Sequence, residues 1–299
     1  MIRLGTRGSK LALAQAQLVA DELVRLGAEV EIVPITTTGD GDSPPLDTAT
    51  GIFVKELETE LIGGGIALAV HSLKDMPTEL PEGLALGAIL ARGSALDVLI
   101  SRERGMMLDE LPPAARVGTS SPRRRAQLLH HRRDLQMLPV RGNVDTRLRK
   151  LDAGDFDAIV VAQAGLNRLG ADAVEVYVIP PVICLPAPGQ GAIAVEIRAD
   201  DESAGALVGA LDDANTRACV TAERSLLKAL GGGCRAAVGA LGMMIGEELH
   251  LQGMVADADG SALLREAIEG APGEAAALGQ ALARALLERG AHLLMEAAE

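Results

Sequence analysis

Along residues 1–90, helix signals alternate with short, continuously apolar runs. Ser9 is placed to cap a helix running to about Leu26, with Gly27 as its stop. Val30–Thr36 reads as a strand, and Phe53–Ile62 as a helix ended by Gly63, Gly64 and Gly65. Ala67–Ser72 and Leu84–Leu90 are apolar throughout and predict buried strands. This alternation predicts an α/β layer on a mainly parallel sheet. A second unit repeats it, with strands near 97–101, 116–118, 135–140, 158–162 and 174–179 and helices near 122–132, 143–153 and 163–169. The apolar run Ala192–Ile197 predicts a further strand, but its pattern does not say which sheet it joins. From about residue 200 the pattern changes. Two helices (201–211 and 213–230) precede strands near 236–245, 248–258 and 261–267 and a closing helix over 273–290, a smaller α+β domain.

Composition narrows the class. A chain of 299 residues suits two or three domains. It holds one Tyr, two Phe and no Trp, so its core is aliphatic, and it lacks the aromatic platforms that single-stranded nucleic acid stacks on. No apolar run approaches membrane-span length, and no signal-like stretch opens the sequence, which points to a cytoplasmic protein. The three cysteines show neither metal-type spacing nor a disulfide framework, so no metal is expected.

The net charge of −13 is unevenly spread. Residues 116–150 hold ten basic and two acidic side chains, leaving a net −21 for the rest. A basic island in an acidic chain is a local anion site, and extended nucleic acid would be repelled elsewhere. Within the island, Gly118-Thr119-Ser120-Ser121-Pro122-Arg123-Arg124 leads from a strand into a helix. Hydroxyl caps, Pro at the first helical position and free backbone N–H groups make such a turn an anion seat. Arg141-Gly142-Asn143-Val144-Asp145-Thr146-Arg147 repeats the arrangement, so both helix N-termini are expected at one sheet edge. His71-Ser72-Leu73-Lys74-Asp75 lies at a strand end, where Asp75 could stabilise a cation or move a proton. Cys184 and Cys219 read as core thiols. Cys234, after three glycines and before Arg235, sits beside a cation that favours its thiolate; local chemistry leaves nucleophile and packing residue equally open.

Taken together, RLGTRGSKLALAQA, GIFVKELE, AVHSLKDMPTELP, VGTSSPRRRAQL, VRGNVDTRLRKLD, AGLNRLG, LPAPGQGAIAVE and the GGGC loop resemble the hydroxymethylbilane synthase (porphobilinogen deaminase) family, in order from residue 3 to residue 234. The resemblance implies a transferase that condenses four porphobilinogen molecules head to tail, releases ammonia at each addition and hydrolyses the product to a linear tetrapyrrole. It implies a dipyrromethane cofactor held by a thioether to Cys234, and a monomer with no nucleic-acid or membrane partner. Asp75 would stabilise cationic intermediates, with Lys74 beside it. Arg3, Arg7, Ser9, Arg141, Arg147 and Arg168 match substrate-carboxylate positions. Arg123, Arg124, Arg141, Gly142, Asn143 and Arg147, with Ser72, Lys74, Asp75, Thr119, Ser120, Ser121 and Gln190, match cofactor contacts.

The implied fold is α/β with three domains: two periplasmic-binding-protein-like α/β lobes (1–91 with 190–207, and 96–185) and a smaller α+β domain (212–299) bearing the cysteine. The strand near 190 would then return to the first lobe. The chain departs from the family pattern in four places: a short Pro-rich Gly41–Thr50 loop ending in Thr50, Ser94-Ala95-Leu96 in the domain connection, Gly231 and Ala237 around the cysteine, and Pro122 after the serines. An anion-binding protein without catalysis would leave Cys234 and the third domain unexplained. A nucleotide-dependent enzyme finds no phosphate-loop motif.

Overall fold

The protein is described from a computed structural model, in which residues 1–36, 54–171, 174–231 and 237–296 are described. In chain order the elements are β1 (Ile2–Arg7), α1 (Lys10–Arg25), β2 (Val30–Ile35), α2 (Lys55–Ile62), β3 (Leu68–Ser72), β4 (Leu84–Ile89), β5 (Asp97–Ser101), β6 (Arg116–Gly118), α3 (Pro122–His131), β7 (Gln136–Leu138), α4 (Val144–Asp152), β8 (Ala158–Ala162), α5 (Gln163–Arg168) and β9 (Tyr177–Val178). There follow β10 (Ile193–Arg198), α6 (Glu202–Gly209), α7 (Ala214–Ala229), β11 (Ala237–Ile245), β12 (Glu248–Ala256), β13 (Leu263–Gly270), α8 (Ala275–Glu288) and α9 (Ala291–Glu296). Two compact units divide the chain, residues 1–93 with 191–217 and residues 94–190 with 218–299.

The first unit is built on the sheet β2-β1-β3-β10-β4. β1 pairs parallel with β2 and β3, whereas β10 runs antiparallel to both β3 and β4. Four of its five strands therefore run the same way, as the mainly parallel expectation had it, and the exception is β10, which arrives from a distant part of the chain. β10 is buried on both faces over Ile193–Ile197, and such a strand carries no alternation to report its sheet. α1 lies on this sheet through Ala12, Ala16, Val19, Ala20 and Leu23, spaced to share one helix face. The Ser9 side chain accepts from the Ala12 N–H at 3.3 Å, and Gly27 takes φ +88° just past the C-cap.

The second unit repeats the plan with the sheet β7-β6-β8-β5-β9. Here β6 pairs parallel with β7 and β8, and β5 is the antiparallel strand. Of the strand expected over 174–179, Tyr177 and Val178 form β9, and the Ile179 N–H extends the pairing to the Asp97 carbonyl at 2.9 Å. The same unit carries the antiparallel meander β11-β12-β13, which packs with α7, α8 and α9 around Leu226, Val238, Leu249, Leu251, Leu282 and Leu286. The helix expected over 273–290 forms as α8 and ends before Gly290, which takes φ +93°; α9 follows as a short further helix that the pattern did not announce.

Candidate active site

In the first unit, β1 and β3 are parallel neighbours, so the turn into α1 and the turn after Ser72 open at one sheet edge. A pocket there is lined by Arg7, Ser9, Gln15, Ser72 and Asp75, among others. Leu73–Asp75 forms one 3-10 turn with Leu73 fully buried as its anchor, which leaves Lys74 exposed and Asp75 half-buried. The Ser72 hydroxyl and the Gln15 amide exchange hydrogen bonds at 2.9 and 3.1 Å, tying α1 to the end of β3. Arg3 is not brought to this edge. It lies at the opposite end of β1, where it donates to the Gly65 carbonyl and sits 3.7 Å from Glu31.

In the second unit, β6 and β7 are parallel neighbours, and each feeds a helix at the same sheet edge. Pro122 opens α3, and Ser121 caps it by accepting from the Arg124 N–H at 3.4 Å. Asn143 caps α4 by accepting from the Thr146 N–H at 2.9 Å. The two turns are tied together, since the Ser120 hydroxyl donates to the Val140 carbonyl at 2.9 Å and the Thr119 N–H to the Leu138 carbonyl at 2.9 Å. Gly142 takes φ +103°, a conformation only glycine adopts readily, and its carbonyl accepts from Arg147 Nε at 2.9 Å. Arg141 is exposed. Arg168 ends α5, the helix that follows the neighbouring strand β8, and burial lowers its pKa.

Arg123 and Arg124 turn inward, onto a residue that sequence reasoning passed over. Asp97, fully buried at the start of β5, accepts from Arg123 Nη1 at 2.8 Å and from Arg124 Nη2 at 2.6 Å. Arg124 Nε reaches the same carboxylate at 3.1 Å, and its Nη1 donates to the Val160 carbonyl at 3.0 Å. Gln190 Nε2 adds a further donor to Asp97 at 2.8 Å. Burial by itself would raise the Asp97 pKa; the two guanidinium charges and their hydrogen bonds overcome it and hold the carboxyl well below the usual range. Cys184 shares this nest, and burial pushes its thiol up to about 12, so it stays neutral and unreactive. Cys219 is buried as expected of a core thiol. The one signal for Asp97 was a lone acid opening the apolar run Val98-Leu99-Ile100.

Two guanidinium groups against one carboxylate leave this cluster a net positive charge. Arg123 Nε is buried with no partner, among the described residues. Two helix N-termini open at the same edge. Such a donor set fits a ligand that carries several carboxylates. Cys234, with the Gly41–Thr50 loop, lies outside the described residues. Glu248, His250 and Glu269 on β12 and β13 bring ligand-type atoms within 4.8 Å of one another, but this cluster is largely exposed and on another sheet.

Two family models cover the chain in order. Residues 2–206 match "Porphobilinogen deaminase, dipyromethane cofactor binding domain", and residues 217–288 match "Porphobilinogen deaminase, C-terminal domain". The porphobilinogen deaminase of Pelotomaculum thermopropionicum is 50% identical over 99% of this chain and 96% of its own. That of Desulforudis audaxviator is 51% identical over 96% and 94%, and that of Mycobacterium avium 47% identical over 100% and 98%. A periplasmic substrate-binding protein from Coxiella burnetii aligns with TM-score 0.43 and 17% identity over 71% of this chain and 92% of that one. With both family domains matched in order and relatives about half identical over nearly its whole length, the chain belongs to the porphobilinogen deaminase family.

Proposed function

We propose that the chain is a transferase that joins four porphobilinogen molecules head to tail, with release of ammonia, and then hydrolyses the product to hydroxymethylbilane. The observation that carries this reading is the paired strand-to-helix turns of the second unit, with their buried arginines, in a chain otherwise strongly acidic. Porphobilinogen carries an acetate and a propionate, so a growing chain is a polycarboxylate that needs fixed cationic and N–H donors.

The cofactor is dipyrromethane, which when bound supplies the primer to which substrate units are added. Cys234 is assigned as its thioether tether. The turns Thr119–Ser121 and Arg141–Asn143, with Arg123, Arg124, Arg147 and Gln190, form or support the seat for its carboxylates. Ser72 is assigned to the cofactor as well, and Arg7, Ser9, Arg141, Arg147 and Arg168 to the carboxylates of incoming substrate. Asp75 stands half-buried beside Arg7 and Ser72, where its carboxylate can hold a positive charge developing on a pyrrole nitrogen. Lys74 keeps an ammonium group at the same turn. Arg3, at the far end of β1, receives no role. The three-domain division (1–91 with 190–207, 96–185 and 212–299) and a monomeric, cytoplasmic enzyme complete the proposal.

Intact mass spectrometry of freshly purified protein tests it. The expected mass exceeds that of the bare polypeptide by two pyrrole units, and Cys234→Ser removes the excess. A bare mass in protein that still consumes porphobilinogen would overturn the tether.

A further inference from the structure

Arg123 and Arg124 carry the family's motif, yet neither sets its own orientation. Both are almost fully buried, and each is held by the carboxylate of Asp97. The topology explains how Asp97 reaches them. β6, β7 and β8 run parallel and present their C-terminal ends, with the starts of α3, α4 and α5, at one edge. β5 runs antiparallel to β8, and Asp97 pairs with Ala162, so the first residue of β5 lies at that same edge. Oδ1 of Asp97 accepts from Arg124 Nε and Nη2 and from Gln190 Nε2, and Oδ2 accepts from Arg123 Nη1. Neighbouring carbonyls take up the guanidinium donors beside it: Val160 for Arg124, and Leu185 for Arg123. Each planar fork is thereby fixed by two or more partners, and one of the two buried charges is cancelled.

Resting on the reading that this edge holds ligand carboxylates, we infer that Asp97 is the positioning residue of the anion seat: it sets the planes of Arg123 and Arg124 and leaves the pair one net positive charge for one ligand carboxylate. Without the aspartate the two buried cations repel each other and lose their common acceptor. Their charge toward a ligand rises, but their geometry is lost. A seat that worked by charge alone would gain affinity from that change, whereas a seat that works by geometry loses it.

Two measurements on Asp97→Asn and Asp97→Glu test this, each alongside a thermal melt. The first is the fraction of purified chain carrying the covalent adduct, by intact mass. The second is porphobilinogen affinity by calorimetry in a Cys234→Ser background, where the seat assigned to the cofactor's carboxylates is open to the acetate and propionate of free porphobilinogen. Asp157→Asn serves as the stability control, because Asp157 pairs with Arg116 where β6 begins, away from the seat. Asp97→Asn is expected to lower both occupancy and affinity by roughly tenfold or more, for affinity a loss of at least about 1.4 kcal/mol. Asp97→Glu restores part of each, and Asp157→Asn changes the melt but neither reading. Wild-type affinity in Asp97→Asn, or losses that merely follow the melting temperature across all three variants, would overturn the inference. If Asp97→Asn does not fold, Asp97→Glu decides by its affinity relative to an equally destabilised Asp157→Asn. A wild-type chain without adduct counts against the tether alone, and the affinity measurement still decides Asp97.

Discussion

Burial and charge pull Asp97 in opposite directions, and charge wins because two arginines answer one carboxylate. A carboxyl whose folded pKa is depressed contributes stability above its unfolded value and loses that contribution as the pH falls through the acid range. Truncation to alanine leaves two buried cations without an anion. Asp97→Ala should therefore cost about 3–5 kcal/mol in urea unfolding at neutral pH, with a smaller difference in acid. Glu58 shows the opposite sign. It is nearly buried on α2, one carboxylate oxygen has no hydrogen-bond partner, and burial followed by the charge of Glu196 raises its pKa, with His71 opposing. Glu196 itself lies 3.0 Å from His71 on the neighbouring strand β3. A raised carboxyl holds its proton longer in the folded state, so stability falls as the pH rises from the usual carboxylate range toward the folded pKa. Glu58→Gln should accordingly raise the melting temperature at pH 8 more than at pH 4, and an equal rise at both would contradict the assignment. Asp75→Asn tests the chemistry: binding of porphobilinogen should persist while turnover falls on the order of a hundredfold or more, read as a loss in kcat with little change in KM.

At the scale of elements, the seat depends on how helices begin. Ser121 and Asn143 are both side-chain caps with hydroxyl or amide oxygens on backbone N–H groups. Loss of either cap by substitution to alanine should cost about 1 kcal/mol of stability in chemical denaturation. α3 is also gripped at its other end. His130 Nδ1–H donates to the Gly260 carbonyl at 3.0 Å, and Arg133 donates to the carbonyls of Gly260 and Ser261, so the turn between β12 and β13 docks on this helix. Gly260 takes φ +72°, and a Cβ there would stand 2.2 Å from the Ala126 carbonyl oxygen and 2.8 Å from the His130 nitrogen. Both obstacles are backbone and cannot rotate away. Gly260→Ala should destabilise by more than about 1 kcal/mol, from strain and clash together. Much of this was legible beforehand: Ser9, Ser121 and Gly27 mark helix ends through chemistry local to a few residues. The hairpin docking was not, because nothing near Gly260 in sequence names the helix it meets.

For the whole molecule, the charge distribution governs encounter. A strip of net positive charge within residues 116–150 lies in a chain of net charge −13, so a carboxylate substrate is drawn to one place and repelled from the rest. KM for porphobilinogen should therefore rise several-fold between about 0.05 and 0.5 M salt, with kcat far less affected. A tethered polyanion that binds only the folded chain also adds stability, so Cys234→Ser should melt at a lower temperature than the loaded enzyme.

Sequence alone determined the signals that are local or chemical. Helix caps, apolar runs, the basic island and the motif segments state which residues can bind anions and which family the chain resembles, because each depends on neighbours a few positions away. The destination of β10, the antiparallel entry of β5, the position of Arg3 away from the pocket and the partnership of Asp97 with Arg123 and Arg124 were decided by tertiary structure. A strand buried on both faces has no alternation to reveal its sheet, and a buried carboxylate is matched to its cations across 26 and 27 residues by topology, which no local pattern encodes.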